Sequence, residues 1–388
     1  MIVWLVRIAL VSDTYTPQVN GVTTVVVRIA NVLREFGHHV AVVAPRYPGH
    51  AATDPSELRI PSVSFPPYPA IRLSLPQFGA VARFLDAFKP DVVHVATEGP
   101  LGLTGRRYAV RRGIPLVTSY HTNFPQYARH YGAGLVEPLI WKWLRWFHRH
   151  AVLTQTPGEA VAQELERRGI GRPVVWGRGV DTTHFNPGRR SVGWRRWLAG
   201  GDDTAIVLHV GRLAPEKNID VLAEAWIAAR ERVGQRATFV IAGEGPERRR
   251  LLTHLPWVRQ LGFLDRDKLA DVYASADICV LPSNTETCGL VALEAMASGL
   301  AVVAADAGGF RESITQGQTG RLVAPEDATG FAAEILSLVI SPQRRTALAT
   351  AARAAALARD VAPENLELLR QYASAAGLPA GEAAPCAA

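Results

Sequence analysis

Two glutamates, Glu286 and Glu294, stand in the otherwise apolar stretch ETCGLVALEAMASGLAVVA. Residues 290–297 are greasy on nearly every side, the pattern of a helix packed all round. A carboxylate in such a helix is expensive unless something polar meets it. A helix starting near Thr287 or Cys288 would put Glu286 at its mouth and Glu294 roughly 9–10 Å further along its axis, at about 1.5 Å per residue. Two acceptors so separated can read hydroxyls on two parts of one long ligand. A partner for the positive end of the helix dipole explains Glu286 equally well, but it leaves Glu294 unexplained.

Other chemistry-bearing residues fall after short apolar runs. GRLAPEKN comes after residues 205–210 and carries Arg212 and Lys217 in one loop. Arg can hold a diphosphate by its fork and Lys as a point charge, without a metal; solvated loop charges are the alternative. His121 ends the run 115–120 in SYHTNF, where a histidine faces a ligand or merely caps the surface. Gly21, in SDTYTPQVNGVTT, opens a helix whose free amides favour anions, or is a turn glycine. DAGG at 306–309 adds a glycine pair.

A series of strands must position these residues. Runs 3–11, 39–44, 91–96, 115–120 and 151–155 alternate with helical patterns, of which 22–35 is the first, with Gly37 as its stop. The series restarts after a loop-like stretch at 180–200, with strands expected at 205–210, 237–242, 278–281, 301–304 and 321–323. This is the grammar of two doubly wound parallel α/β sheets facing a cleft, where ligands bind beyond the carboxyl ends of the strands. The expected domains are 1–185 and 186–376. The Ala-rich segment 345–358 reads as a helix, and the tail 377–388 as disordered.

Composition narrows the classes. The 388 residues suffice for about two domains, and 48% hydrophobic with 20% charged residues is ordinary for a globular protein. A net charge of +7 suits a phosphate-bearing ligand, an anionic membrane surface or nucleic acid, and chooses among none of them. Cys279, Cys288 and Cys386 have no paired spacing, so neither disulfides nor a zinc site is expected, and a reducing cytoplasm is the default. No stretch is long and apolar enough to span a membrane. The opening MIVWLVRIALVSD reads as a first strand rather than a signal segment, because Arg7 interrupts it.

Several motifs are set aside. DRD at 265–267 resembles a metal-binding DxD but precedes a helical run, so Asp265 or Asp267 reads as an N-cap; no metal site is expected. GEGPER at 243–248 has Arg248 where a dinucleotide fingerprint needs its third glycine, which excludes an NAD-dependent oxidoreductase. WKWLRWFHRH at 141–150 and RRYAVRR at 106–112 are basic, the first also aromatic. They suit a packed helix or an anionic membrane better than nucleic acid, which is not expected.

The chain resembles the retaining GT-B glycosyltransferases of family 4, from SDTYTPQVNGV to DAGGFRE. The E-x7-E pattern at Glu286 and Glu294 is the most specific element, then GRLAPEKN, then SYHTNF with the early NGV. Cys288 departs mildly from the aromatic or Leu often found there. DTYTPQVNGVTT, SYHTNFPQYARHYG and WGRGVDTTHFNP look like bacterial GDP-mannose-dependent α-mannosyltransferases and sulfoquinovosyl or glucosyl transferases making glycolipids.

The resemblance implies roles. Glu294 would bind the ribose of a nucleotide sugar and Glu286 the hydroxyls of the transferred sugar. Arg212 and Lys217 would neutralise the leaving diphosphate, helped by helix amides near Gly289 and Leu290. Gly21 would let the first domain close over that diphosphate, His121 would contact the donor sugar from across the cleft, and the backbone near Leu264 would meet the base. It implies a cytoplasmic enzyme, peripheral on the inner face of the membrane, moving a hexose onto a lipid or glycan acceptor. Mannose from GDP-mannose is the first choice and a UDP-hexose the second. No cofactor would be required beyond the donor, with magnesium able to stimulate. Rivals are a UDP-sugar 2-epimerase, a glycogen-type phosphorylase, for which no pyridoxal lysine motif is present, and a non-catalytic nucleotide-sugar sensor.

Overall fold

The computed structural model describes residues 5–18, 20–50, 54–65, 68–121, 125, 134–176, 179–199, 203–286 and 288–378. The chain forms two compact units, Met1–Trp176 with Asn365–Ala388, and Gly177–Glu364. The division thus falls at 176/177, ahead of the expected 185/186, and residues 365–378 belong with the first unit.

The first unit is built on β1 (Arg7–Val11), β2 (His39–Pro45) and β3 (Glu57–Ile60), a hairpin of β4 (Ser62–Phe65) and β5 (Tyr68–Ser74), then β6 (Val92–Val95), β7 (Leu116–Ser119), β8 (Leu153–Thr156) and β9 (Pro173–Val175). Seven strands pair in the order β3-β2-β1-β6-β7-β8-β9, every pairing parallel. The period of two sends Ile8 and Leu10 into one core and Ala9 and Val11 into another on the opposite face. A sheet covered on both sides therefore reads as the uninterrupted apolar run seen in the sequence. β1 begins at Arg7, later than the expected residue 3; residues 1–4 lie outside the described set.

Helix Gly21–Glu35 starts where Asn20 accepts from the Thr23 amide at 2.8 Å, and buries Val25, Ile29 and Leu33, an i, i+4 stripe, with Val26 beside it. The last helix, Val361–Ala375, has no counterpart among the expected elements. Its Leu368, Leu369 and Tyr372 join the core with Ile8 and Val42, and Tyr372 reaches the buried ring of His94 at 2.5 Å. The expected disordered tail, apart from Gly377 and Leu378, lies outside the described residues, as does Cys386.

The second unit holds β10 (Ala205–Val210), β11 (Ala237–Ala242), β12 (Arg259–Gly262), β13 (Ile278–Leu281), β14 (Ala301–Ala305) and β15 (Arg321–Val323). They pair in the order β12-β11-β10-β13-β14-β15, again all parallel. The order reverses between β10 and β13. At such a reversal the loops leaving the two strands diverge to opposite faces and open a crevice at the carboxyl edge. The loops that leave are GRLAPEKN and PSNTETCG. The expected helix 345–358 is Pro342–Leu357. Among the described residues, no helix is long and apolar enough to cross a membrane.

Candidate functional site

The loop after β10 tightens into a turn, Pro215–Lys217, and Asn218 takes a left-handed conformation to start helix Ile219–Val233. The neighbouring loop after β13 is stitched to it. Ser283 and Thr285 donate to the Glu216 carbonyl at 3.3 and 3.0 Å, and the Asn218 side chain donates through Nδ2 to the Pro282 carbonyl at 3.1 Å. Across this seam the Lys217 ammonium pairs with Oε1 of Glu286. Arg212 is 53% exposed, with Glu216 Oε1 at 3.9 Å. One cation is thus anchored by a carboxylate, while the other is open to solvent at the same strand edge.

Beneath the seam lies His209 in β10, which gives no functional signal in the sequence because a histidine in an apolar strand looks like core. It is buried, and its Nδ1 donates to the Val280 carbonyl at 2.9 Å. Burial, chiefly, pushes its ring down to about 4, so it is neutral near pH 7. Nε2 is then an acceptor, with no hydrogen-bond partner among the described residues.

The helix carrying Glu294 runs Leu290–Ala297, and Gly289 (φ 68°) is its cap, with no side chain capping it. The expected start near Thr287 or Cys288 was too early: Cys288 is outside the helix, and Thr287 lies outside the described residues. The chain is helical only from Leu290 onward, so the axial rise estimated between the two glutamates does not apply to Glu286. The amides of Leu290 and Val291 have no carbonyl behind them in the helix. Gly308 of DAGG has φ +50°, and a Cβ there would lie 2.2 Å from the Glu286 carbonyl oxygen. The next amide, Gly309, donates to that same carbonyl at 2.8 Å. The glycine pair thus holds the backbone of Glu286 in place. Gly308→Ala should destabilise the protein by about 1–3 kcal/mol and weaken donor binding with it. Calorimetric unfolding with and without GDP checks this; an unchanged melting point would remove the clamp from the account.

Glu294 is crowded on all sides, although part of its surface still reaches solvent. Burial raises its carboxyl to about 7, against the lowering effects of the Tyr273 hydroxyl and the Arg266 charge. The Tyr273 hydroxyl donates to Oε2 at 3.3 Å. Tyr273 is the polar partner that the sequence could not place, since it comes from another helix, Arg266–Ser275. Asp265 caps that helix by accepting from the Lys268 amide at 2.9 Å. Leu264, just before it, packs partly buried against the second unit's core.

Arg212, Lys217, Leu264, Glu286, Gly289, Leu290 and Glu294 all belong to the second unit; Gly21 and His121 belong to the first. Gly21 has no positive φ, and a Cβ on it would meet nothing within 4 Å. No turn requires glycine there, so what the residue leaves is open space. His121 is buried at the end of β7; residues 122–124 of its motif lie outside the described set. The basic aromatic segment forms helix Glu137–His148, which buries Trp141, Leu144, Phe147 and His148. Its other side leaves Leu139, Trp143 and Trp146 exposed among the exposed Lys142 and Arg145. Arg106 of the second basic motif is buried against this helix, donating to the Phe147 carbonyl at 2.7 Å with its guanidinium 4.1 Å from the Trp146 ring centre.

Both halves of the chain match known families, and the chain has near full-length relatives. The family described as Glycosyltransferase Family 4 matches residues 19–184, and that described as Glycosyl transferases group 1 matches residues 204–341. A GDP-mannose-dependent alpha-mannosyltransferase of Mycobacterium tuberculosis is 37% identical over 381 residues, 96% of this chain and 97% of that protein. Sulfoquinovosyl transferase SQD2 of Arabidopsis thaliana is 35% identical, over 83% of this chain and 64% of that protein. In fold, Anabaena Alr3699/HepE in complex with UDP-glucose superposes with a TM-score of 0.75 at 21% identity, covering 95% of this chain and 100% of that one.

Proposed function

The chain belongs to glycosyltransferase family 4, and from that premise we propose that it is a retaining mannosyltransferase, taking mannose from GDP-mannose and passing it to a lipid or glycan acceptor. The fold is GT-B, with two Rossmann-like units. The observation that carries the choice of donor is the near full-length likeness to a GDP-mannose-dependent enzyme. A UDP-hexose or sulfoquinovosyl donor is the second reading, favoured by the likeness to SQD2.

The second unit's residues then divide the work. Glu294 accepts hydroxyl hydrogens of the ribose, beside the Leu264 backbone that meets the base. Lys217 and Arg212 face the diphosphate, and the open amides at Leu290 and Val291 add the positive end of a helix. Glu286, held by Lys217 and by the glycine clamp, takes hydroxyls of the transferred mannose. In the first unit, His121 meets the donor sugar and Gly21 leaves room for the diphosphate. Bond breaking leaves an oxocarbenium-like sugar and a diphosphate whose negative charge grows. Fixed cations already in place lower that barrier without solvent having to reorganise. A departing phosphate oxygen takes the acceptor's proton while the new bond forms on the same face, which retains configuration. In this reading magnesium stimulates but is not required. The exposed Leu139, Trp143 and Trp146 with Lys142 and Arg145 support contact with an anionic lipid surface from the cytoplasmic side.

The test is transfer from GDP-mannose and, separately, UDP-glucose to acceptor lipids in vesicles with and without anionic phospholipid. Mannose transfer with an α-linked product, faster on anionic vesicles at low salt, is expected. Transfer from UDP-glucose alone would overturn the donor assignment, a β-linked product the retaining course, and indifference to vesicle charge the membrane contact.

A further inference from the structure

The first unit has its own reversal of strand order, between β1 and β6, and the loop leaving β6 carries Glu98. Glu98 lies three residues past the end of β6 and His121 two residues past the end of β7, the strand paired with it. Glu98 is 9% exposed. Beside its carboxylate are Tyr120, whose hydroxyl is held above its ordinary range by burial and by the Glu98 charge, and His148, whose Nε2 lies 3.5 Å from Oε1, too far for a good hydrogen bond. The His148 ring is fully enclosed, with Nδ1 2.8 Å from the Thr118 hydroxyl.

The helix that begins two residues after Glu98, Pro100–Arg112, is capped by Asp13, which accepts from the Leu101 and Gly102 amides at 2.8 and 3.2 Å. Among the described residues, Oε1 of Glu98 is sealed from solvent and has no hydrogen-bond partner, and the same holds for Nε2 of His148. A carboxylate so placed is unfavourable unless a donor arrives, and it sits at the carboxyl edge where a parallel sheet receives its ligand.

We propose that Glu98 binds a hydroxyl of a sugar or polyol entering the first unit at this edge. The bound hydroxyl donates to the carboxylate and supplies the partner that the protein lacks. This rests on the glycosyl-transfer reading for the ligand's chemistry. The hydroxyl comes either from the acceptor or from the donor's hexose, and kinetics separate the two.

Glu98→Gln and Glu98→Asp would be compared with the parent protein in three measurements. The first is the melting point without ligand: Glu98→Gln should raise it, because an unsatisfied carboxylate is replaced by a neutral amide of the same shape. A lower melting point would mean that Glu98 is a structural ion-pair partner of His148, and would overturn the proposal whatever the donor proves to be. The second is slow hydrolysis of GDP-mannose in water, and the third is transfer to a hexosyl-diacylglycerol in mixed micelles. A tenfold or greater loss of acceptor kcat/KM in Glu98→Gln, with hydrolysis within twofold and partial recovery in Glu98→Asp, assigns the acceptor hydroxyl. An equal loss in hydrolysis assigns the donor hexose. Parent-like rates in both would sink the idea. Inactivity of the parent itself would instead count against the mannosyltransferase reading.

Discussion

Lys217→Ala is expected to lower kcat/KM for transfer by about 10²–10³, the usual loss when one fixed donor to a developing negative charge is removed. The variant gives up an ammonium that the structure holds against Glu286 at the edge where β10 and β13 diverge. It also leaves Glu286 without its cation, so part of the loss should appear in binding of the sugar. Lys217→Arg should not restore the parent rate: the guanidinium fork is wider than an ammonium and cannot occupy the same place between Glu286 and a phosphate. Arg212→Ala should cost less, because that side chain is half exposed and its field is partly screened by water. Steady-state kinetics on the three variants checks the order. A Lys217→Ala enzyme within tenfold of the parent would remove Lys217 from the diphosphate site.

Binding of GDP-mannose should strengthen as pH rises from 6 to 8, and Glu294→Gln should abolish that slope. Glu294 has an ordinary value of 4.5 and is raised to about 7 in the folded, unliganded protein. Folding therefore takes up a proton between these values, so this group's contribution to stability falls as pH rises from 4.5 to about 7 and levels off above. Ribose hydroxyls act in the opposite direction, since donors favour the ionised carboxylate. Below pH 7 the ligand must first drive off a proton; above it the acceptor is ready. GDP-mannose suits the test because its esterified phosphates do not titrate in this range. In the glutamine variant, affinity at pH 8 should drop by about tenfold to a hundredfold, the worth of a hydrogen bond to a charged group. The unliganded variant should be more stable than the parent at pH 8, where the parent carries the buried charge. Calorimetric titration at pH 6, 7 and 8 decides. Parent affinity that is flat with pH, or a variant keeping both slope and strength, would take Glu294 out of the ribose site.

The two sheets were legible because their strands are buried on both faces. Val40, Val42 and Val43 or Ile206, Val207 and Leu208 leave no polar alternation to blur the pattern, and each run is closed by a glycine- or proline-bearing loop. Loop chemistry was legible for the same reason: the residues that leave a parallel strand lie at its carboxyl edge, so GRLAPEKN and the stretch holding Glu286 fall at that edge, while it is the strand order that makes β10 and β13 neighbours. The helix start at Leu290 lies two or three residues later than the sequence suggests, because Gly289 caps it through its left-handed backbone rather than through a side chain that the sequence would announce.

The amino-acid sequence by itself determined the fold class, the family, and which loops carry the charged residues, since all three come from local periodicity and short contiguous motifs. Only the tertiary structure decided that Tyr273 meets Glu294, that Lys217 pairs with Glu286, that Glu98 lies enclosed beside His148, and that helix Val361–Ala375 returns to the first unit. Each of these joins residues far apart along the chain, and the energy that selects such a contact comes from burial and charge placement in the assembled core, which no local stretch contains.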